Sequence, residues 1–130
     1  MLYSNKVPTK EELAELWESV GWRFDEEHID HTYTALTNAD YINIMYDDDG
    51  YLVGLISAIT DGWNVWISYC CIHADYENHG FGSQLLQELL EHYEGKRIWV
   101  NTSKAADFYA ANGFSNGFSS MYKFPYVYTE

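Results

Sequence analysis

Basic residues are scarce in this chain of 130 residues: seven Lys and Arg stand against twenty Asp and Glu, a formal net charge of −13 at pH 7. Nucleic acid is disfavoured as a partner on that ground, because its phosphates require a basic face. A cationic partner suits the surface better, although an acidic surface also serves solubility alone. Cysteine is scarce too, and the two present, Cys70 and Cys71, are adjacent. In a strand their side chains leave opposite faces, so a disulfide between them would be strained and two buried thiols in a reducing compartment are expected. Together with His73 they lack the spacing of a metal site, whose paired ligands are usually at least two residues apart, and no metal is expected. No stretch approaches the ~20 uninterrupted apolar residues of a membrane span. The N-terminus has neither a basic region nor an apolar signal core, which leaves a cytoplasmic protein with no membrane partner as the expectation.

What the chain does have is apolar bulk: 47% of it is hydrophobic and 18% aromatic, ample for the core of one domain over residues 1–130. Thr9 followed by Glu12 makes a capping box, and Leu13, Leu16, Trp17 and Val20 form a helical stripe ending at Gly21. Asp25 caps a second helix carrying Ile29, Tyr33 and Leu36 at helical spacing, with Trp22-Arg23-Phe24 as the bridge. Tyr41 to Tyr46, Tyr51 to Thr60 and Trp63 to Ile72 read as strands joined by Asp-Asp-Asp-Gly and Asp-Gly turns, the pattern of antiparallel hairpins. A helix over Gly82 to Glu94 follows, then a short apolar strand, Arg97 to Val100. A strand–helix–strand crossover makes that strand parallel to its predecessor. Thr102 or Ser103 caps the next helix, which Gly113 ends, and an Asn-Gly turn leads to a last strand, Met121 to Tyr128, that Pro125 confines to an edge. The expected fold is α/β, with a mixed central sheet, helices on both faces and the order α-α-β-β-β-α-β-α-β.

The most informative stretch is the passage from strand to helix at His79-Gly80-Phe81-Gly82-Ser83. Two glycines there let the backbone approach a ligand closely, and the first amides of a helix attract phosphate. A Walker loop is excluded because Ser83-Gln84 stand where Lys-Ser/Thr would follow. A dinucleotide fingerprint is incomplete, with Leu85 in place of the third glycine.

The run His73-Ala74-Asp75-Tyr76-Glu77-Asn78-His79-Gly80-Phe81-Gly82-Ser83, between an apolar strand and Gln84-Leu85-Leu86, resembles motif A of the GNAT superfamily of acyl-CoA-dependent N-acetyltransferases, whose pattern is Gln/Arg-x-x-Gly-x-Gly/Ala. Downstream, Ala105-Ala106-Asp107-Phe108-Tyr109-Ala110-Ala111-Asn112-Gly113-Phe114 is similar to that family's A-x-x-F-Y-x-x-x-G-F helix. The small single-domain bacterial members are the nearest in plan.

The resemblance implies acetyl-CoA as cosubstrate and a small-molecule amine as acceptor, in a monomer or homodimer. His79, Gly80, Phe81, Gly82 and Ser83 would take the pyrophosphate on backbone amides, with the Ser83 hydroxyl adding a bond. The backbones of Cys71, Ile72 and Ala74 would line a slot for pantetheine, an amide near Cys71 and Ile72 facing the thioester oxygen. Asn101 matches a position that bonds the pantetheine arm, and as a residue on its own it reads equally well as a helix-entry cap. Lys104 could reach the adenosine phosphate or stand as an ordinary exposed lysine; Lys96, Arg97, Lys104 and Lys123 all lie in the half that would hold the anionic cofactor. Tyr109 matches the tyrosine that protonates the departing thiolate, and a phenol is protonated at neutral pH without tuning.

Two positions depart from the family pattern. Glu77 replaces Gln or Arg, putting a carboxylate near a pyrophosphate, which lowers the expected affinity for CoA. Tyr69 stands where many relatives carry an acidic base, so the group that deprotonates the amine is not identified. His73 has a suitable titration range but matches a position without catalytic consequence, and His28, His31, Glu27 or a held water are the other candidates. The acceptor is expected from the side of Trp22, Phe24, Tyr33 and Tyr69, where Asp25, Glu26 and Glu27 would favour an amine with an apolar or aromatic body; the same aromatics also read as core. The competing class is a GNAT-fold module that holds acyl-CoA, or has lost it, and acts through protein contacts.

Overall fold

The computed structural model describes residues 1–117 and 119–126. The chain divides into two compact units, Met1–Val100 and Asn101–Glu130. The first holds a five-stranded sheet in the order β1 (Leu2–Ser4), β2 (Tyr41–Tyr46), β3 (Leu52–Thr60), β4 (Asn64–Ile72), β5 (Arg97–Trp99). Neighbours are antiparallel except β4 and β5, which run parallel as the crossover requires. Helices α1 (Lys10–Ser19), α2 (Glu26–Thr37) and α3 (Phe81–His92) complete the unit. None of the helices among the described residues is long and apolar enough to cross a membrane.

β3 is buried at every position from Leu52 to Ala58, which is why its sequence does not alternate: it is covered on both faces. On one face, Leu13, Leu16 and Trp17 of α1 and Ile29 and Leu36 of α2 pack with Ile44, Leu55 and Cys71. The alternate residues of β2 meet α3 on the other face, where Asn43 Nδ2 donates to Glu88 Oε2 at 2.7 Å and the Tyr41 ring lies 5.0 Å from that of His92. The expected capping box is present, with Glu12 N donating to Thr9 Oγ1 and Thr9 N to Glu12 Oε1. Asp25 caps α2 through His28 N.

Strand β1 is an addition to the expected order. Three residues are too few for a legible period, yet they extend the sheet by pairing with β2, Leu2 opposite Tyr46. Helix α3 begins at Phe81 instead of Gly82, because Gly80 adopts a left-handed conformation at its N-cap. In the second unit, α4 (Ala106–Ala111) follows a turn in which Thr102 Oγ1 accepts from Ala105 N at 2.9 Å, so Thr102 is the hydroxyl used at this entry. The expected strand over Met121 to Tyr128 is not formed at residues 121–126, while Phe118, Val127 and Tyr128 lie outside the described residues. Pro125 cannot donate to a ladder, and Tyr122 and Phe124 instead stack on each other at 4.6 Å.

The Asp61-Gly62 turn between β3 and β4 is fixed by one carboxylate. Asp61 Oδ1 accepts from Trp63 N and Asn64 N, and Oδ2 from Asn64 Nδ2, which hold the carboxyl at a pKa of about 2. The folded value is depressed, so the stability these bonds add is complete above the ordinary 3.8 and disappears as pH falls through about 2. Titration of the Asp61 carboxyl carbon by NMR should give a midpoint near the lower value; a midpoint at 3.8 would mean that the turn is not held this way.

Candidate functional site

β4 and β5 pair over three rungs only, Asn64 with Arg97, Val65 with Ile98 and Trp66 with Trp99. β4 then continues for six residues, Ile67 to Ile72, with β3 on one side and no strand among the described residues on the other. Extended backbone of that kind carries a row of amides and carbonyls that an amide-bearing chain can pair with, as a peptide adds to a sheet edge. The register against β3 shifts in the same region: Ser57 faces Tyr69 and Ala58 faces Ile67, leaving Ser68 as an extra residue.

At the end of β4 the chain is held tightly. Gly54 lies opposite Ile72, and a Cβ on it would stand 2.5 Å from Ile72 Cδ1 and 2.9 Å from the Cys71 carbonyl, so only glycine lets the two strands approach. His73 N donates to Val53 O, and His73 Nδ1 accepts from Asp75 N to cap a short 3-10 turn, Ala74–Tyr76. That bond gives His73 a structural task. Ala74 N donates to Ser19 Oγ of α1 at 3.2 Å, which ties the loop to the helix layer.

The loop then turns twice through positive φ, at Asn78 (64°) and Gly80 (84°), before α3 begins. Gly80 makes no side-chain cap, and the space where its Cβ would sit is open within 4 Å. The first turn of α3, Phe81, Gly82 and Ser83, therefore starts at an exposed glycine with helix-dipole polarity favouring an anion. Residues 73–83 contain no lysine or arginine, so the backbone itself would have to supply the attraction. Glu77 is exposed.

Trp22 and Tyr69 are brought together through a third ring. Trp17 lies 5.0 Å from Trp22, edge to face, and 5.7 Å from Tyr69. Trp17 is buried at 1% exposure and Trp22 is 40% exposed, so this aromatic row runs from the core outward. Sequence reading assigned Trp17 only to the helical stripe; its adjacency to Tyr69, fifty-two residues on, has no local signal. Asp25 is engaged with Arg23, whose guanidinium lowers the carboxyl pKa, so part of the expected negative charge at this bridge is paired internally.

In the second unit, Asn101 is exposed and its Oδ1 accepts from Ser120 Oγ at 3.0 Å; it does not cap α4, whose entry uses Thr102. Lys104 is exposed. Tyr109 is 7% exposed and packs within its own unit between the rings of Phe108 (5.0 Å) and Phe114 (5.3 Å).

A mixed sheet whose fourth strand leads through a glycine loop into a helix is also found among solved structures. The chain superposes on a Staphylococcus aureus protein of unknown function, described as a probable acetyltransferase, with a TM-score of 0.75 at 21% identity over 93% of this chain and 98% of that one. A GNAT family protein from Streptococcus pneumoniae gives 0.75 at 21% identity, covering 96% and 97%. An aminoglycoside 6′-N-acetyltransferase solved with coenzyme A gives 0.63 at 18% identity, covering 78% and 62%. No curated protein matches the chain in sequence. The sequence profile of the Acetyltransferase (GNAT) family matches residues 9–114, and the chain belongs to that family.

Neither cysteine forms a disulfide, and the two differ. Cys71 is 5% exposed, and burial, with Cys70 and Glu77 nearby, pushes its thiol well above the ordinary range, whereas Cys70 is half-buried. Iodoacetamide at pH 8 should modify Cys70 first and reach Cys71 only when denaturant opens the core. Equal rates by mass-spectrometric mapping would place Cys71 outside the packed interior.

Proposed function

We propose that the protein is an N-acetyltransferase that moves an acetyl group from acetyl-CoA to the primary amine of a small, cationic acceptor by direct attack in a ternary complex. The observation that carries this reading is the end of β4–β5 pairing at Trp66 and Trp99, after which β4 runs on to a loop that opens a helix at a left-handed glycine. The residues fit the cosubstrate: the space in front of Gly80 is open, and the helix it starts lacks a side-chain cap. When bound, acetyl-CoA supplies the activated acyl thioester.

The chain's own residues divide the remaining work. His79 to Ser83 hold the pyrophosphate on helix N-terminal amides. Cys71, Ile72 and Ala74 contribute the backbone wall of the slot, an amide near Cys71 and Ile72 polarising the thioester carbonyl. Asn101 bonds the pantetheine arm, and Lys104 meets the adenosine phosphate. Tyr109 donates its phenolic proton to the departing thiolate. Trp22 and Tyr69, joined through Trp17, receive the body of the amine, and its positive charge suits the acidic surface. The reaction is assigned to the cytoplasm.

Glu77 and Tyr69 favour a second reading, a module that binds acyl-CoA without transferring it. Thermal shifts with CoA, acetyl-CoA and NAD, followed by thiol release from acetyl-CoA with arylalkylamines, polyamines, aminoglycosides and lysine peptides, separate the two. A ligand at 100 times its Kd adds about 2.7 kcal/mol. A shift with both CoA species and thiol release with a cationic amine is the expected result, with kcat/KM falling as salt rises. A shift without thiol release leaves the binding module, and no shift with either CoA species removes both.

Gly82→Val is expected to weaken acetyl-CoA binding severely while near-ultraviolet dichroism is retained, since bulk at this helix start obstructs the pyrophosphate. Unchanged affinity by calorimetry would move the cosubstrate off the loop. Tyr109→Phe should leave acetyl-CoA affinity intact and lower kcat, by about 10²-fold for loss of a general acid. Unaltered turnover where chemistry limits the rate would return Tyr109 to a packing role.

A further inference from the structure

Two separate devices meet where the pairing of β4 with β5 ends. On the β5 side, the last rung is clamped: the Trp66 and Trp99 rings stack at 5.4 Å and 21°, Arg97 lies 4.9 Å from the Trp99 ring, and Trp99 Nε1 donates to Asn64 Oδ1. On the β3 side, two residues further along β4, the extra residue Ser68 is bonded through its hydroxyl to that of Ser57 at 2.8 Å. Ser57 is fully buried, one of two polar side chains so placed among the described residues. The other, Thr32, bonds the carbonyl of His28 within its own helix.

A hydroxyl at 0% exposure in the middle of the most buried strand requires a partner, since burying it unbonded is unfavourable and alanine would fill nearly the same volume. The partner here is not a backbone group of the ladder but the side chain of the bulged residue. A bulge bends its strand and increases its local twist, so whatever fixes the bulge fixes the direction in which β4 leaves β5. The clamp before it and the tie at it together place the change of direction between Trp66 and Tyr69.

We propose that Ser57 and Ser68 are positioning residues: their hydroxyl pair pins the β4 bulge and thereby sets the course of β4 from Tyr69 to Ile72, beyond its last rung with β5. This rests on the acetyltransferase reading, in which that stretch of β4 lines the pantetheine arm and a change of its course misplaces the thioester against the amine. Neither serine touches the reacting atoms.

The test uses Ser68→Ala, which removes the tie at an exposed position, and Ser68→Thr, which keeps the hydroxyl on a side chain suited to a strand. Amide hydrogen exchange in the ligand-free protein reads the pinning alone. Ser68→Ala should raise exchange at Tyr69 and Cys70 by about fivefold, the loss of one neutral hydrogen bond, while the β2–β3 amides are unchanged. With the best acceptor, kcat should fall by about tenfold or more with a much smaller change in the affinity for acetyl-CoA, and Ser68→Thr should restore both exchange and kcat. Unchanged exchange in Ser68→Ala overturns the pinning. Raised exchange with unchanged kcat and acetyl-CoA affinity overturns the link to the pantetheine arm. A wild-type protein that neither binds acetyl-CoA nor releases thiol fails the functional reading first, and the exchange result still decides whether the hydroxyl pair holds the bulge.

Discussion

Hydrogen bonding along β4 is the constraint on which the site depends. A strand in the interior of a sheet is bonded on both edges, and β4 is so bonded for three residues only; from Ile67 to Ile72 no strand among the described residues pairs with its second edge. Exposed edges invite pairing with whatever extended chain can reach them. The rest of the first unit makes this tolerable. β3 is buried along seven consecutive residues and pairs with β4 from Gly54 to Thr60 on either side of the bulge, Gly54 lets the strands close up at Ile72, and His73 and Ala74 are fastened to Val53 and Ser19. Along its β3 edge β4 is paired from Val65 to Ile72 with a single interruption, the bulge at Ser68.

The same economy of means explains how so acidic a chain could hold a polyanion. Lysine and arginine total seven in the chain and are absent from residues 73–83, so attraction to pyrophosphate would come from amide dipoles at the start of α3. Backbone dipoles have a practical advantage here: they leave the side chains and the net charge free to favour a cationic acceptor. Glu77 is the exposed exception within the loop. The negative charge near the aromatic bridge is smaller than the count of carboxylates implies, because Asp25 caps α2 and pairs with Arg23.

Much of this was legible in the residues. The capping box at Thr9, the Asp25 cap, the hairpins and the glycines of the loop each announce themselves within a few positions, because capping, turn formation and helix periodicity are local. The family pattern across the glycine loop and the Ala105–Phe114 run pointed to the fold now matched by solved structures. What was hidden is what depends on register between distant segments. Nothing near Ser57 reveals that its hydroxyl meets Ser68, although a serine within the apolar run from Leu52 to Ile59 was a visible irregularity. Gly54 reads as an ordinary strand glycine until Ile72 is placed opposite it. Residues 121–126 of the expected Met121 to Tyr128 strand departed differently: their composition suits a strand, but ladder formation needs donors and a partner edge, and Pro125 withholds one.

Trp17 shows how the fold and the proposed acceptor side are coupled. Its ring belongs to the core, at 1% exposure among residues of α1, α2 and the sheet, and the same ring supports Trp22 on one edge and Tyr69 on another. Tyr69 in turn is the residue of β4 directly after the bulge, facing Ser57. The aromatic row and the bulge are therefore not independent: the direction that β4 takes after Ser68 decides where Tyr69 meets Trp17, and so where Trp22 stands. Exposure rises along the row, from Trp17 in the core to 40% at Trp22 and 47% at Phe24 in the bridge. Substitution at the outer rings would alter the surface offered to an amine at little expense to the core, whereas a change at Trp17 would alter both at once.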